Sequence, residues 1–109
     1  MIESYSSAEP TRSQIGALAG PALIEFGNTW CGHCRRGQPL IVDAMVGHAE
    51  VRHFKIADGP GRPLGRSFNV KLWPTLIFLN TGVEVTRLVR PISTNEIKQA
   101  LLAIDPVSG

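Results

Sequence analysis

"PALIEFGNTWCGHC", residues 21–34, runs an apolar segment straight into both cysteines of the chain. Leu23, Ile24 and Phe26, bounded by Pro21 and Gly27, fit a short buried strand. Beyond the motif, from Cys31 to about His48, Leu40, Ile41, Ala44 and Met45 recur at helical spacing. A helix is therefore expected to start near Cys31, with a kink at Pro39 inside it. The turn from the C-terminal end of a strand into a helix is the favoured place for chemistry in an α/β sheet, and Cys31 lies there. At that spacing the two Cα atoms fall within the roughly 4.4–6.8 Å that a disulfide accepts, so a reversible bond is geometrically available.

Working outward, "VRHFKIAD" (residues 51–58) alternates Val51, His53 and Lys55 against Arg52, Phe54 and Ile56, as a second strand does. The glycine- and proline-rich stretch "GPGRPLGRSFNV" has room only for a short helix around Leu64 to Phe68. "PTLIFLN" and "VEVTRLV" are β-rich runs joined at Asn80, Thr81 and Gly82, a hairpin signal. "STNEIKQALLAI" opens with a hydroxyl cap and Glu96 in the first turn, then brings Ile97, Leu101, Leu102 and Ile104 to one face of a C-terminal helix. Ahead of the motif, a strand at Ile2 to Tyr5 and a short helix near Arg12 to Leu18 are expected. The order is α/β: a βαβ unit with parallel neighbouring strands, then an antiparallel hairpin, in a central mixed sheet with helices on both faces.

The chain has 109 residues, the length of one domain, and can bury a core without a disulfide staple. Its formal net charge of +2, with the basic residues dispersed, argues against nucleic acid as a partner. No apolar run approaches the ~20 residues that span a bilayer. "MIESYSSAEPTRSQIGALAG" has early acidic residues and no basic leader ahead of an apolar stretch, which gives the expectation of a cytoplasmic chain. In that reducing compartment a C-x-x-C pair is more often catalytic or metal-binding than structural.

From Pro21 to Leu102 the residues resemble the thioredoxin family. "LIEFGNTWCGHC" is similar to its strand and active-site motif, "WPTL" to its cis-proline segment and "FLNTG" to its last hairpin. A lone C-x-x-C is weak evidence; here Glu25 stands six residues before Cys31, Pro39 five after Cys34, and Trp-Pro-Thr sits between a loop and a hairpin. The Cys-Gly-His-Cys tetrapeptide itself resembles protein disulfide isomerase domains more than the Cys-Gly-Pro-Cys usual in thioredoxins. The resemblance implies a thioredoxin fold and a thiol–disulfide oxidoreductase that reduces protein disulfides through Cys31 and Cys34. It implies no bound cofactor, since electrons come from an NADPH-dependent thioredoxin reductase or another dithiol donor. A monomer is expected. The CGHC motif keeps oxidase or isomerase chemistry open, and a non-catalytic interaction module is the rival from another class; retention of both cysteines and of Glu25 argues against the latter.

Each position then has an expected task. Cys31, facing free N–H groups and the positive end of a helix dipole, is the nucleophile; Cys34 is the buried partner that resolves the mixed disulfide. His33 can place positive charge near the Cys31 sulfur and make the disulfide a better oxidant, and Arg35 and Arg36 act the same way if they point inward. Glu25, a carboxylate in an apolar strand, is expected to have a raised pKa and to exchange protons near neutral pH; by resemblance it takes the proton of the resolving cysteine. Lys55 matches the family lysine that pairs with that acid. Pro74 is expected to follow a cis peptide, with the Trp73 backbone offering N–H and C=O to an extended substrate segment. Trp30 and Trp73 flank the sulfurs. The family commonly has an aromatic residue at the position of Gly27, a smaller aliphatic at Trp73 and a glycine at Arg90, so this rim is bulkier and more basic. Asn69 and Leu72 also depart from frequent family residues, and nothing in the sequence explains them.

Other uses of the cysteines fail on ligand supply. Zinc needs about four ligands; His33 is too close in sequence to both cysteines, His48 falls some 20 Å along the helix at about 1.5 Å per residue, and His53 is on another strand. A c-type haem needs histidine where Arg35 stands.

Overall fold

The run at 21–27 forms a strand buried on both faces, and the rest of the molecule is arranged around it. A computed structural model describes residues 5–106. In chain order it has α1 (Arg12–Gly16), β1 (Pro21–Gly27), α2 (Gly32–Met45), β2 (Arg52–Ala57), α3 (Pro63–Ser67), β3 (Thr75–Asn80), β4 (Val83–Val89) and α4 (Thr94–Ile104). The sheet order is β2-β1-β3-β4. β1 pairs parallel with β2 and antiparallel with β3, and β3 pairs antiparallel with β4, so the sheet is mixed as expected.

Alternation along β1 divides the core. Ala22, Ile24 and Phe26 pack with Ile15 of α1, Leu64 of α3 and Phe68 on one face. Leu23 packs with Ile41 and Ala44 of α2 and Ile97 and Leu101 of α4 on the other. Glu25 shares the second parity, so it points under α2. In the parallel register it lies opposite Lys55, and Leu23 lies opposite His53.

Caps and turns fix the element ends. Thr11 with Gln14 and Ser93 with Glu96 form reciprocal capping boxes at α1 and α4. α2 takes Cys31 itself as its N-cap and runs through Pro39, which lacks the N–H that would pair with the Arg35 carbonyl. It ends at Met45 rather than near His48, because Val46 has an extended ψ of 127 and Gly47 a φ of +87. His48 instead ties that end to α4, its Nδ1 lying 2.8 Å from Asp105 Oδ2. Thr81 and Gly82 turn the hairpin with φ of 51 and 78, and a Cβ on Gly82 would collide with the Gly16 backbone.

Three expectations are adjusted, and a fourth falls mostly outside the described residues. In α4 the buried face is Ile97, Ala100, Leu101 and Ile104, a spacing of three and four residues; Leu102 lies off that stripe and is exposed. α1 stops at Gly16, two residues short of Leu18. α3 begins one residue early, with Pro63 in its first turn, where a missing N–H costs nothing. Of the strand expected at Ile2 to Tyr5, residues 2–4 lie outside the described residues; one residue on, Ser6 makes a single parallel bridge to Ile56.

Candidate active site

Cys31 leaves β-type backbone (φ −86, ψ 119) just before α2 begins, and its sulfur accepts the Cys34 N–H at 3.3 Å. This is the bond that an N-cap serine or aspartate makes, performed by sulfur. Both cysteines are free thiols and both are buried, Cys34 the more deeply.

The rim around Cys31 is built by Trp30 just before α2, by the Trp73–Pro74 segment ahead of β3 and by Arg90 after β4. The Trp73–Pro74 peptide is cis, and the Trp73 carbonyl faces the Cys31 sulfur at 3.9 Å. Trp30, 68% exposed, meets Trp73 edge-on with ring centroids 5.4 Å apart. Trp73 is itself fixed by its indole N–H, which donates to Asp58 Oδ2 at 2.8 Å. Arg90 adopts a left-handed φ of 51, and its Nε donates to the Trp73 carbonyl at 2.8 Å. The carbonyl expected to serve substrate thus already accepts from Arg90, with the Cys31 thiol directed at it as a second, weaker donor. Beside it, His33, Arg36, Leu40, Arg90 and Ile92 line an open cleft of about 390 Å³.

His33 differs from its expectation. Arg36 Nη2 lies 2.7 Å from His33 Nδ1, so the guanidinium donates and the ring accepts. Loss of hydration, then the charges of Arg90 and Arg36, hold the imidazole below its ordinary pKa. A positively charged His33 beside the sulfur is therefore disfavoured; the positive charge of the rim belongs to the arginines. Arg35 turns to the Thr29 carbonyl at 3.1 Å.

Behind Cys34 the site is polar and closed. Glu25 has a side chain with 0% exposure. Tyr5 and Gln38 both donate to its Oε2, and His53 Nε2 lies 3.0 Å from Oε1. Lys55 Nζ donates to Gln38 Oε1 at 2.7 Å and sits 4.7 Å over the Tyr5 ring. The expected rise in the Glu25 pKa is reversed. Burial does push it up, but the bonds from His53, Tyr5 and Gln38 and the charge of Lys55 outweigh burial, and the carboxyl sits below its ordinary value. Cys34 is pushed up to about 11, first by burial and then by its hydrogen bond with Cys31, with Tyr5 favouring the thiolate.

The structure thus brings all nine expected positions to one end of β1. Cys31, Trp30, Trp73, Pro74, His33 and Arg90 form the outer side; Cys34 and Glu25 form the inner side, with Lys55 reaching it through Gln38. Tyr5, Gln38 and Asp58 carry no such expectation in the sequence, and His53 enters it only as an unsuitable zinc ligand. Gly27 was the available signal: an aromatic residue missing from a buried position leaves space that another group fills, and here it is Tyr5. Among the described residues no cluster of three or more His, Cys, Asp or Glu is placed to hold a metal ion, and no helix is long and apolar enough to cross a membrane.

Comparison with known proteins agrees with this geometry. The solved structure of reduced thioredoxin 2 from Pseudomonas aeruginosa PAO1 superposes with a TM-score of 0.85 at 50% identity, covering 95% of this chain and 96% of that one. Thioredoxin-2 of Saccharomyces cerevisiae is 29% identical over 101 residues, 93% of this chain and 96% of that protein. Thioredoxin C-3 of Corynebacterium nephridii is 32% identical over 81 residues, 74% of this chain and 56% of that protein. The family model described as Thioredoxin matches residues 6–103. By that match, and by a dithiol set at the start of α2 against a cis-proline, the chain belongs to the thioredoxin family.

Proposed function

We propose that the protein is a thiol–disulfide oxidoreductase that reduces protein disulfides by cycling Cys31 and Cys34 between dithiol and disulfide. The observation that carries this reading is the asymmetry of the pair. Cys31 stands at the N-cap facing the Trp73 carbonyl and the rim, whereas Cys34 is sealed behind it with its thiol pushed up to about 11. Cys31 is then the attacking sulfur, and the substrate disulfide lies across the cis-proline segment with its backbone extended along Trp73. Cys34 closes the ring in the second step, with Glu25 as proton acceptor. Lys55 and His53 keep that acceptor ionised.

The direction of electron flow is towards substrate. The thioredoxin relatives support this direction; His33, disfavoured as a cation, adds little of the positive charge that strengthens a disulfide as oxidant, and the arginines hold that charge at the rim instead. The pair needs no bound cofactor; an external dithiol, in this family a thioredoxin reductase drawing on NADPH, restores it. We place the monomeric protein in the reducing cytoplasm, where such a pair is kept as thiols.

Insulin reduction with dithiothreitol tests the reading. The parent should accelerate precipitation of the insulin B chain, and Cys31→Ser should fall to the uncatalysed rate; equal activity of the two would refute it.

A further inference from the structure

Tyr5 lies one residue outside the segment that the family model matches, residues 6–103, yet it enters the reaction centre. It is the sole tyrosine of the chain. Its hydroxyl fills the space left by the absent side chain of Gly27: a Cβ there would stand 2.9 Å from the Tyr5 oxygen and 2.7 Å from Cys34 Sγ. The missing methyl group is what lets phenol and thiol share one space.

The hydrogen-bond sense is set by counting protons. Tyr5 gives its single O–H to Glu25 Oε2, so only its lone pairs remain to meet the Cys34 thiol. While Cys34 is protonated the row can run in one sense only, from the Cys34 thiol towards a Tyr5 lone pair and from the Tyr5 O–H to the carboxylate. Gln38 reinforces it by bonding Glu25 Oε2 and, at 3.3 Å, the Tyr5 oxygen. The titratable and charged groups that face this row are Cys31 and Cys34 at the start of α2, Glu25 on β1, and His53 and Lys55 on β2. His53 is the member nearest solvent, with 26% of its side chain exposed.

We propose that Tyr5 is the proton relay of the resolving step, carrying the Cys34 proton through its hydroxyl to Glu25. The proposal rests on the oxidoreductase reading above. At the mixed-disulfide stage the Cys34 sulfur bonds to the Cys31 sulfur, and the bond between Cys31 and the substrate sulfur breaks. The substrate leaves as a thiolate with the electron pair. The two cysteines are oxidised by two electrons and the substrate disulfide is reduced. In the same step the Cys34 proton moves to the Tyr5 oxygen and the Tyr5 proton to Glu25, which later returns it to water at the β2 edge.

Two features make such a relay useful. A thiol with a pKa of about 11 is ionised in only about one molecule in 10⁴ at pH 7, so unaided loss of its proton is slow. Tyr5 itself is held far above its ordinary pKa, by burial and then by the Glu25 charge; it therefore passes a proton through without resting as a phenolate.

The test is a single turnover of the reduced protein against an equimolar aromatic disulfide whose thiolate is coloured, since one thiolate is released at each step. In Tyr5→Phe the first release should stay within about twofold of the parent, and the second should slow at least tenfold at pH 7, the low end for a lost proton-transfer group. The second rate should also change its pH profile. The parent is flat through neutral pH because Glu25 is already ionised, whereas Tyr5→Phe should climb about tenfold per pH unit towards the Cys34 pKa. A second release in Tyr5→Phe with the parent's rate and profile would overturn the relay. If that variant does not fold, the parent in heavy water decides: the second release should slow about twofold or more while the first does not, and equal isotope effects would overturn the relay. Absence of even a first release in the parent would instead overturn the oxidoreductase reading, and the relay with it.

Discussion

Two carboxylates are sealed from solvent on opposite faces of the sheet, Glu25 under α2 and Asp58 against α3, each with a side-chain exposure of 0%. Glu25 is shared by Tyr5, Gln38 and His53, with both oxygens engaged. Asp58 concentrates its bonds on one oxygen: Oδ2 accepts from Arg66 Nη2 at 2.7 Å and from the Trp73 indole at 2.8 Å, while Oδ1 has no partner among the described residues. The partners of Glu25 include a phenol and an imidazole, groups that can take and return protons. Those of Asp58 are a guanidinium and an indole N–H, which at neutral pH can only donate. Burial alone therefore says little about a carboxylate's task. The chemistry of the groups around it separates a proton acceptor from a clamp.

The largest effect that should separate them is kinetic. Glu25→Gln removes the acceptor and keeps the volume, and should slow the second thiolate release about 10²-fold, or about 2.7 kcal/mol of barrier, with the first release spared. If both releases slow equally, Glu25 is structural and the contrast collapses. Asp58→Asn should do the reverse. Losing the charge that Arg66 and Trp73 share should cost about 1–2 kcal/mol in urea unfolding, the value for a charged hydrogen bond reduced because Arg66 is half exposed, and should leave the second release rate unchanged.

Smaller still is the acid limb of stability. Glu25 binds its proton less readily in the folded chain than in the unfolded one. Its contribution is therefore complete above the ordinary carboxylate value of about 4.5 and is lost as pH falls through the lower folded value. Urea midpoints of the parent should decline over that window, and those of Glu25→Gln should decline less; parallel curves would mean that the carboxyl is not held low.

The contrast also explains what was legible in the residues. β1, the β3–β4 hairpin and the C-x-x-C at a helix start could be read because each is a local pattern: an apolar run, a two-residue turn with Gly82, a strand entering a capped helix. The fold class followed, and the nine expected positions come together at one end of β1. The proton chemistry behind Cys34 could not be read in the same way, because its contacts span 20 residues from Tyr5 to Glu25 and 28 from Glu25 to His53. Only burial of Glu25 was visible in the sequence, and burial alone gives the wrong direction for its pKa. The charge expected on His33 is disfavoured by loss of hydration, then by Arg90 and then by Arg36, which lies three residues on along the helix and reaches the ring. The Asp58 clamp on Trp73 had no sequence signal at all.

Trp30 and Trp73 are the only two tryptophans of the chain, and they touch each other beside Cys31. All of the protein's indole fluorescence therefore originates within one patch at the mouth of the site. Oxidation of the dithiol, or arrival of a substrate strand on Trp73, changes the surroundings of every emitter at once, with no background from indoles elsewhere. The molecule carries its own optical readout of redox state and occupancy, and needs no dye.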